Sequence, residues 1–173
     1  YKRQLLKKFR TMLEEECGFA IGVEFHFVAF RNVMAALLDG DTLHTAFNIG
    51  FGAKTASSSF QIFPNASWKQ ELDGQKLLRL EKQWETVQLL IVDEISFIGR
   101  AFFARIHFRL QQAKCSFFSE AALDPNDCQF GHMSLILVGD FGQLEPIEDM
   151  SFVDDEMTNT TCPKKLLPLW RHI

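Results

Sequence analysis

The sequence predicts an α/β protein, a parallel sheet covered by helices on both faces. Two observations carry this. The segments LLIVD (89–93) and LILVG (135–139) are continuously apolar rather than alternating, the pattern of strands buried on both sides. Strand-like and helix-like segments also alternate along the chain, as parallel strands require for their crossovers. With 47% hydrophobic and 23% charged residues in 173, the chain has apolar side chain enough for one core.

Each element has its own reason. YKRQLLKKFRTMLEEE (1–16) sets Leu5, Leu6, Phe9, Met12 and Leu13 at helical spacing. Its charges run basic first and acidic last, against the helix dipole, so this helix depends on packing. CGFAIGVEFHFVAF (17–30) reads as a turn and a strand, and NVMAALLDG (32–40) as a short helix ending at Gly40. Residues 53–75 are polar and turn-rich, a long surface loop. KLLRLEKQWETV (76–87) is either an amphipathic helix or an extended lead-in to the strand at 89–93. RAFFARIHFRLQQAK (100–114) is a helix with Phe102, Phe103, Ile106 and Leu110 on its apolar side. Residues 116–132 form a loop, and MSLILVGDFGQLEPI (133–147) is the second buried strand with its turn. Residues 1–150 make one domain. Residues 151–173 are a polar tail closing in the helix PKKLLPLWRHI.

The net charge of −4 and pI of about 5.7 exclude a wholly basic nucleic-acid binder and leave room for a local basic groove. Lys2, Arg3, Lys7, Lys8 and Arg10 read as the solvated side of the first helix, and Arg100, Arg105 and Arg109 as that of the helix at 100–114. The 18 phenylalanines are spread along the chain and read as core; Trp68 and Trp84 could stack bases but read rather as core or loop packing. Cys17, Cys115, Cys128 and Cys162 form no C-x-x-C pair, and Cys128 with His132 has no second pair at zinc-ligand spacing. Free thiols in a reducing compartment are the expectation. No apolar run reaches membrane-spanning length. The expected setting is therefore intracellular.

The chemistry sits at the strand ends. In open parallel sheets ligands bind beyond the carboxyl ends of the strands. There Asp93 can hold Mg²⁺ beside a nucleoside triphosphate, and Glu94 can orient or activate an attacking water. The second strand ends in Gly139-Asp140-Phe141-Gly142-Gln143, so Asp140 lies beside the phosphates and Gln143 can reach the terminal one. The competing reading, acids that merely end strands, loses weight because two strand ends carry such groups. The phosphate loop G-x-x-x-x-G-K-S/T that usually serves them is not visible: no Gly-Lys pair exists in the chain. NIGFGAKT (48–55) imitates it, but Asn48 and Ala53 stand where the glycines must be.

These motifs resemble those of the PIF-type, RecD-like DNA helicases of superfamily one. LLIVDEISFIG (89–99) resembles their Walker B segment, and LILVGDFGQLEPI (135–147) their third motif. VAFRNVMAALLDGDTLHTAF (28–47) resembles their segment Ia with its G-x-T-x-H extension, and PKKLLPLWRHI (163–173) the helix after motif three. The resemblance implies a RecA-like, P-loop NTPase-type domain with its phosphate loop missing ahead of Tyr1. It implies ATP and Mg²⁺ as cofactors, Asp93 as metal ligand, and Glu94 and Gln143 as catalytic residues. Asp140 would join them around the nucleotide. Arg31, Thr42 and His44 would contact DNA, with Arg31 standing where the family has a Thr; Glu145 replaces the first Pro of motif three. The implied partners are single-stranded DNA, duplex junctions and a second RecA-like domain. The implied activity is ATP-driven 5′-to-3′ unwinding in repair, recombination or telomere maintenance, in the nucleus or mitochondrion. The alternative is a non-catalytic RecA-like interaction domain, or a decayed mobile-element copy.

Overall fold

In a computed structural model, which describes residues 1–50, 72–115, 128–142, 146 and 151, four strands form one parallel sheet. The elements are α1 (Lys2–Glu15), β1 (Phe25–Ala29), α2 (Asn32–Leu37), β2 (Asp41–Thr42), α3 (Leu43–Ala46), α4 (Gly74–Trp84), β3 (Leu89–Asp93), α5 (Arg100–Cys115) and β4 (Ser134–Val138). The spatial order is β2-β1-β3-β4. Val28 pairs with Asp41, Ala29 with Asp93 and Asp93 with Val138. Every strand therefore ends at the same edge of the sheet.

Alternation along the strands builds two cores. Phe25, Phe27 and Ile91 face Leu6 and Leu13 of α1 together with Leu38. Val28, Leu90 and Val92 face the other way, onto Leu43 and Ala46 of α3, Leu80 and Trp84 of α4, and Phe103, Ile106 and Leu110 of α5. Trp84 is fully buried, stacks on Phe47 with ring centroids 4.9 Å apart, and donates its indole N–H to the Ala46 carbonyl at 3.2 Å. Of the segment 76–87, residues up to Trp84 belong to a helix that starts at Gly74, capped by Asp73, whose side chain accepts from the Lys76 N–H. α1 has no acid in its first turn and no base in its last, so packing holds it, with Arg10 bridging Asp39 at 2.5 Å.

Several expectations need correction. Leu5 is 60% exposed and Met12 is also exposed, because only one side of α1 meets the sheet. β4 is not buried on both faces. It lies at an edge of the described sheet, where Leu135, Ile136, Leu137 and Val138 stay half-exposed. Arg109 is buried rather than solvated, because α5 is covered by α4 on one side and by the 3₁₀ segment Gln129–His132 on another. The free-thiol expectation fails for Cys115 and Cys128. The end of α5 and the approach to β4 return side by side, with Cα atoms 6.7 Å apart, and the two sulfurs are bonded. Cys17 is free and exposed. The Lys54 decoy, Trp68, Cys162 and the closing helix at 163–173 lie outside the described residues.

Candidate functional site

The site forms where β3 stops. Asp93 is fully buried at the strand end and Glu94 nearly so. Glu94 adopts a left-handed backbone, φ 60° and ψ 43°, which for a non-glycine residue stores strain of roughly 1–3 kcal/mol. The chain then enters a 3₁₀ turn, Ile95–Phe97, with the Phe97 N–H donating to the Glu94 carbonyl at 3.0 Å. This reversal turns the Glu94 side chain back over the strand end. Asp93 Oδ1 accepts the Glu94 N–H at 2.8 Å, which fixes the aspartate rotamer.

Lys2 opens α1 directly above these acids. Its Nζ lies 2.9 Å from Asp93 Oδ1 and 2.6 Å from Glu94 Oε1. Burial alone would lower the ammonium pKa. The hydrogen bonds and charges of Glu94 and Asp93 outweigh it and hold the group above its ordinary value. This corrects the reading of Lys2 as a solvated helix charge. It is also a candidate site residue that no motif marks, because Tyr1 and Arg3 flank the lysine where Gly-Lys-Ser/Thr has a glycine and a hydroxyl. The only trace in the sequence is a lysine at the first position of a helix. Arg3 turns away from the acids toward Met34 Sδ, at 3.4 Å.

Two oxygens of the pair remain open. Asp93 Oδ2 and Glu94 Oε2 are buried without a hydrogen-bond partner. A buried, unsatisfied carboxylate oxygen is costly, and here it marks a position that a hydrated cation would satisfy. The site fits Mg²⁺, which takes one or two carboxylates and keeps its waters and phosphate ligands.

β4 ends beside the same turn. A Cβ on Gly139 would meet Ile95 Cγ2 at 2.6 Å and the Ile95 nitrogen at 3.1 Å, so only glycine lets β4 approach the turn after Glu94. Asp140 is exposed, with Oδ1 accepting the Gly142 N–H at 2.9 Å in a local turn. Gln143 and Glu145 lie outside the described residues.

The residues expected to face DNA sit along the same edge, after β1 and β2. Arg31 is exposed, and its guanidinium carbon lies 4.3 Å from the centre of the Phe97 ring. The Thr42 hydroxyl caps α3, accepting from the Thr45 N–H at 3.3 Å. His44 packs between Phe30 and Phe102, with centroids at 5.6 and 4.9 Å, and burial lowers its pKa. The structure therefore brings Lys2, Asp93, Glu94 and Gly139 into one group and spaces Arg31, Thr42 and His44 along the neighbouring strand ends.

Comparison with known proteins gives this geometry a family. The PIF1-like helicase profile matches residues 6–161. The ATP-dependent DNA helicase PIF1 of Xenopus laevis is 28% identical over 150 residues, 87% of this chain and 19% of its own length. The Pif1 helicase of Campylobacter jejuni is 30% identical over 145 residues, 83% of this chain and 25% of its own. The chain thus spans a quarter or less of these relatives. A crystal structure of Bacteroides Pif1 bound to ssDNA superposes with a TM-score of 0.53 at 25% identity, covering 84% of this chain and 27% of that one. Pif1 from Candida albicans, at 19% identity and a TM-score of 0.51, shares the fold. The match establishes the RecA-like domain that the alternating elements and motifs implied.

Proposed function

The chain belongs to the PIF1-like helicase family, and from that premise we propose that it is the ATP-handling portion of an ATP-dependent DNA helicase. The carrying observation is the convergence of Lys2, Asp93 and Glu94 at the carboxyl edge of a parallel sheet. Lys2 takes the part of a phosphate-loop lysine, an ammonium at a helix start poised for the outer phosphates. Lys2 pairs with Asp93 and Glu94. A phosphate arriving at Lys2 would replace those carboxylates, leaving Asp93 free to hold Mg²⁺ and Glu94 free to orient water. Mg²⁺ supplies positive charge against the phosphate oxygens when bound. Asp140, on the adjacent strand end, would lie beside the phosphates, and Gln143 would sense the terminal one.

Arg31, Thr42 and His44 take the single strand in this reading. Arg31 offers a guanidinium fork to a phosphate. Thr42 contributes as the cap that shapes the loop, and His44 as a neutral face among aromatics. The relatives' names support ATP-dependent DNA helicase activity; the 5′-to-3′ direction, duplex junctions as substrate, a second RecA-like domain as the moving partner, a part in repair, recombination or telomere maintenance, and a nuclear or mitochondrial setting all belong to the proposal. One observation favours the non-catalytic alternative. Tyr1 and Arg3 flank Lys2 where glycine and a hydroxyl would complete the phosphate cradle.

Ligand-detected NMR titration with ATP and Mg²⁺, suited to weak affinities, tests the reading. Wild type binds; Lys2→Ala weakens ATP and ADP binding with or without metal; Asp93→Asn removes only the Mg²⁺-dependent part. Nucleotide binding that ignores both substitutions would remove the site from the mechanism.

A further inference from the structure

The contact between Arg31 and Phe97 is not used by the nucleotide chemistry. Its two halves come from adjacent strand ends. Ala29 and Asp93 are paired in register; Arg31 is the second residue after β1 and Phe97 the fourth after β3. Arg31 also starts α2, its carbonyl accepting the Met34 and Ala35 N–H groups at 3.1 and 3.0 Å, so its backbone is held. Phe97 is half-buried, and its N–H is tied to the Glu94 carbonyl. The ring is therefore carried by the turn that follows Glu94.

A guanidinium lying over an aromatic face keeps its in-plane N–H donors free. The ring fixes where the fork points without consuming it. We propose that Phe97 is a positioning residue that presents Arg31 to a phosphate of the single strand, and that this stack ties DNA occupancy to the turn carrying Glu94. The inference rests on the reading of Arg31 as a DNA contact. A fixed Arg31 spends less conformational entropy on meeting a phosphate, and by linkage a phosphate on Arg31 stabilises the stack and the turn beneath it. An exposed cation–π contact sets the scale, about two- to fivefold in an equilibrium constant.

The test is fluorescence anisotropy of the 173-residue chain with fluorescein-labelled oligo(dT) across a salt series, joined to amide exchange. Arg31→Ala lowers affinity and reduces the salt slope by about one, the signature of a lost phosphate contact. Phe97→Leu weakens binding about two- to fivefold and leaves that slope unchanged, while Phe97→Tyr, which keeps a ring, binds like wild type. The double variant Arg31→Ala/Phe97→Leu binds no more weakly than Arg31→Ala alone, since the ring acts only through the arginine. Oligo(dT) slows exchange over residues 94–98 in wild type and does not in Arg31→Ala. If Arg31→Ala loses its unit of slope but Phe97→Leu binds like wild type, or the two losses add, the inference falls while the DNA reading stands. If the wild-type chain does not bind oligo(dT), both fall.

Discussion

Single side chains set what this site can do, and in the proposed reading Asp93 and Glu94 take separate roles according to their placement. Asp93 is locked by the Glu94 N–H, whereas Glu94 sits on a strained left-handed backbone, and each keeps one buried oxygen open. In an intact two-domain motor carrying these residues, Glu94→Gln keeps ATP affinity and lowers turnover by about 10²- to 10⁴-fold. Asp93→Asn weakens Mg²⁺-dependent ATP binding as well. Affinity and turnover measured side by side separate the two roles, and a Glu94→Gln motor with wild-type turnover would make the pair structural. Gly139 is as constrained as the acids. Its missing side chain leaves room for buried Ile95, so Gly139→Ala overpacks the turn and destabilises the fold by about 1–3 kcal/mol, read as a lower urea midpoint.

Among the elements, the passage from α5 into β4 is held by two devices. His107 of α5 accepts the Phe130 N–H on Nδ1 at 3.0 Å, and burial pushes its pKa down to about 4. Only the neutral ring can accept that bond. The native state therefore refuses a proton that the unfolded chain takes near pH 6.5. Stability from this group is intact above pH 6.5 and is lost progressively as the pH falls toward 4, by roughly 3 kcal/mol in all. His107→Gln flattens that part of the pH–stability curve; an unchanged curve would rule His107 out as its source. The bond between Cys115 and Cys128 closes a separation of 13 residues. In chain-entropy terms that contributes about 3 kcal/mol. Thermal melts with and without reductant should differ for wild type and coincide for Cys115→Ser.

At the scale of the whole molecule, the chain holds the acids and a lysine, but Tyr1 and Arg3 stand beside Lys2 in place of the small and hydroxyl residues of a phosphate cradle. Phosphoryl transfer depends on positioning and preorganised charge more than on any single group. The 173-residue chain alone is therefore expected to hydrolyse ATP at background rate, with or without single-stranded DNA. A coupled phosphate-release assay showing steady DNA-stimulated turnover would sink this expectation.

Much of the molecule was legible from local pattern. Continuous apolar runs marked 89–93 and the run before Gly139 as strands of a parallel sheet; the inference of cover on both faces held for 89–93 and failed for β4, because an edge position is decided by strand order and not by composition. Asp93 and Glu94 were legible because acids at the end of a greasy strand have no packing reason to be there. What local pattern could not reach depends on residues far apart in sequence. Lys2 and Glu94 are separated by 92 positions, and Lys2 looks like any charge on an amphipathic helix until α1 is laid across the strand ends. Arg109 carries the composition of a solvated face and is buried, because neighbouring elements decide which side of α5 meets water. Cys115 and Cys128 lack a recognisable spacing and meet because the end of α5 docks beside the approach to β4. Pattern records what each segment must bury, whereas the partners of a charge, a thiol or a guanidinium follow only from how the buried faces dock.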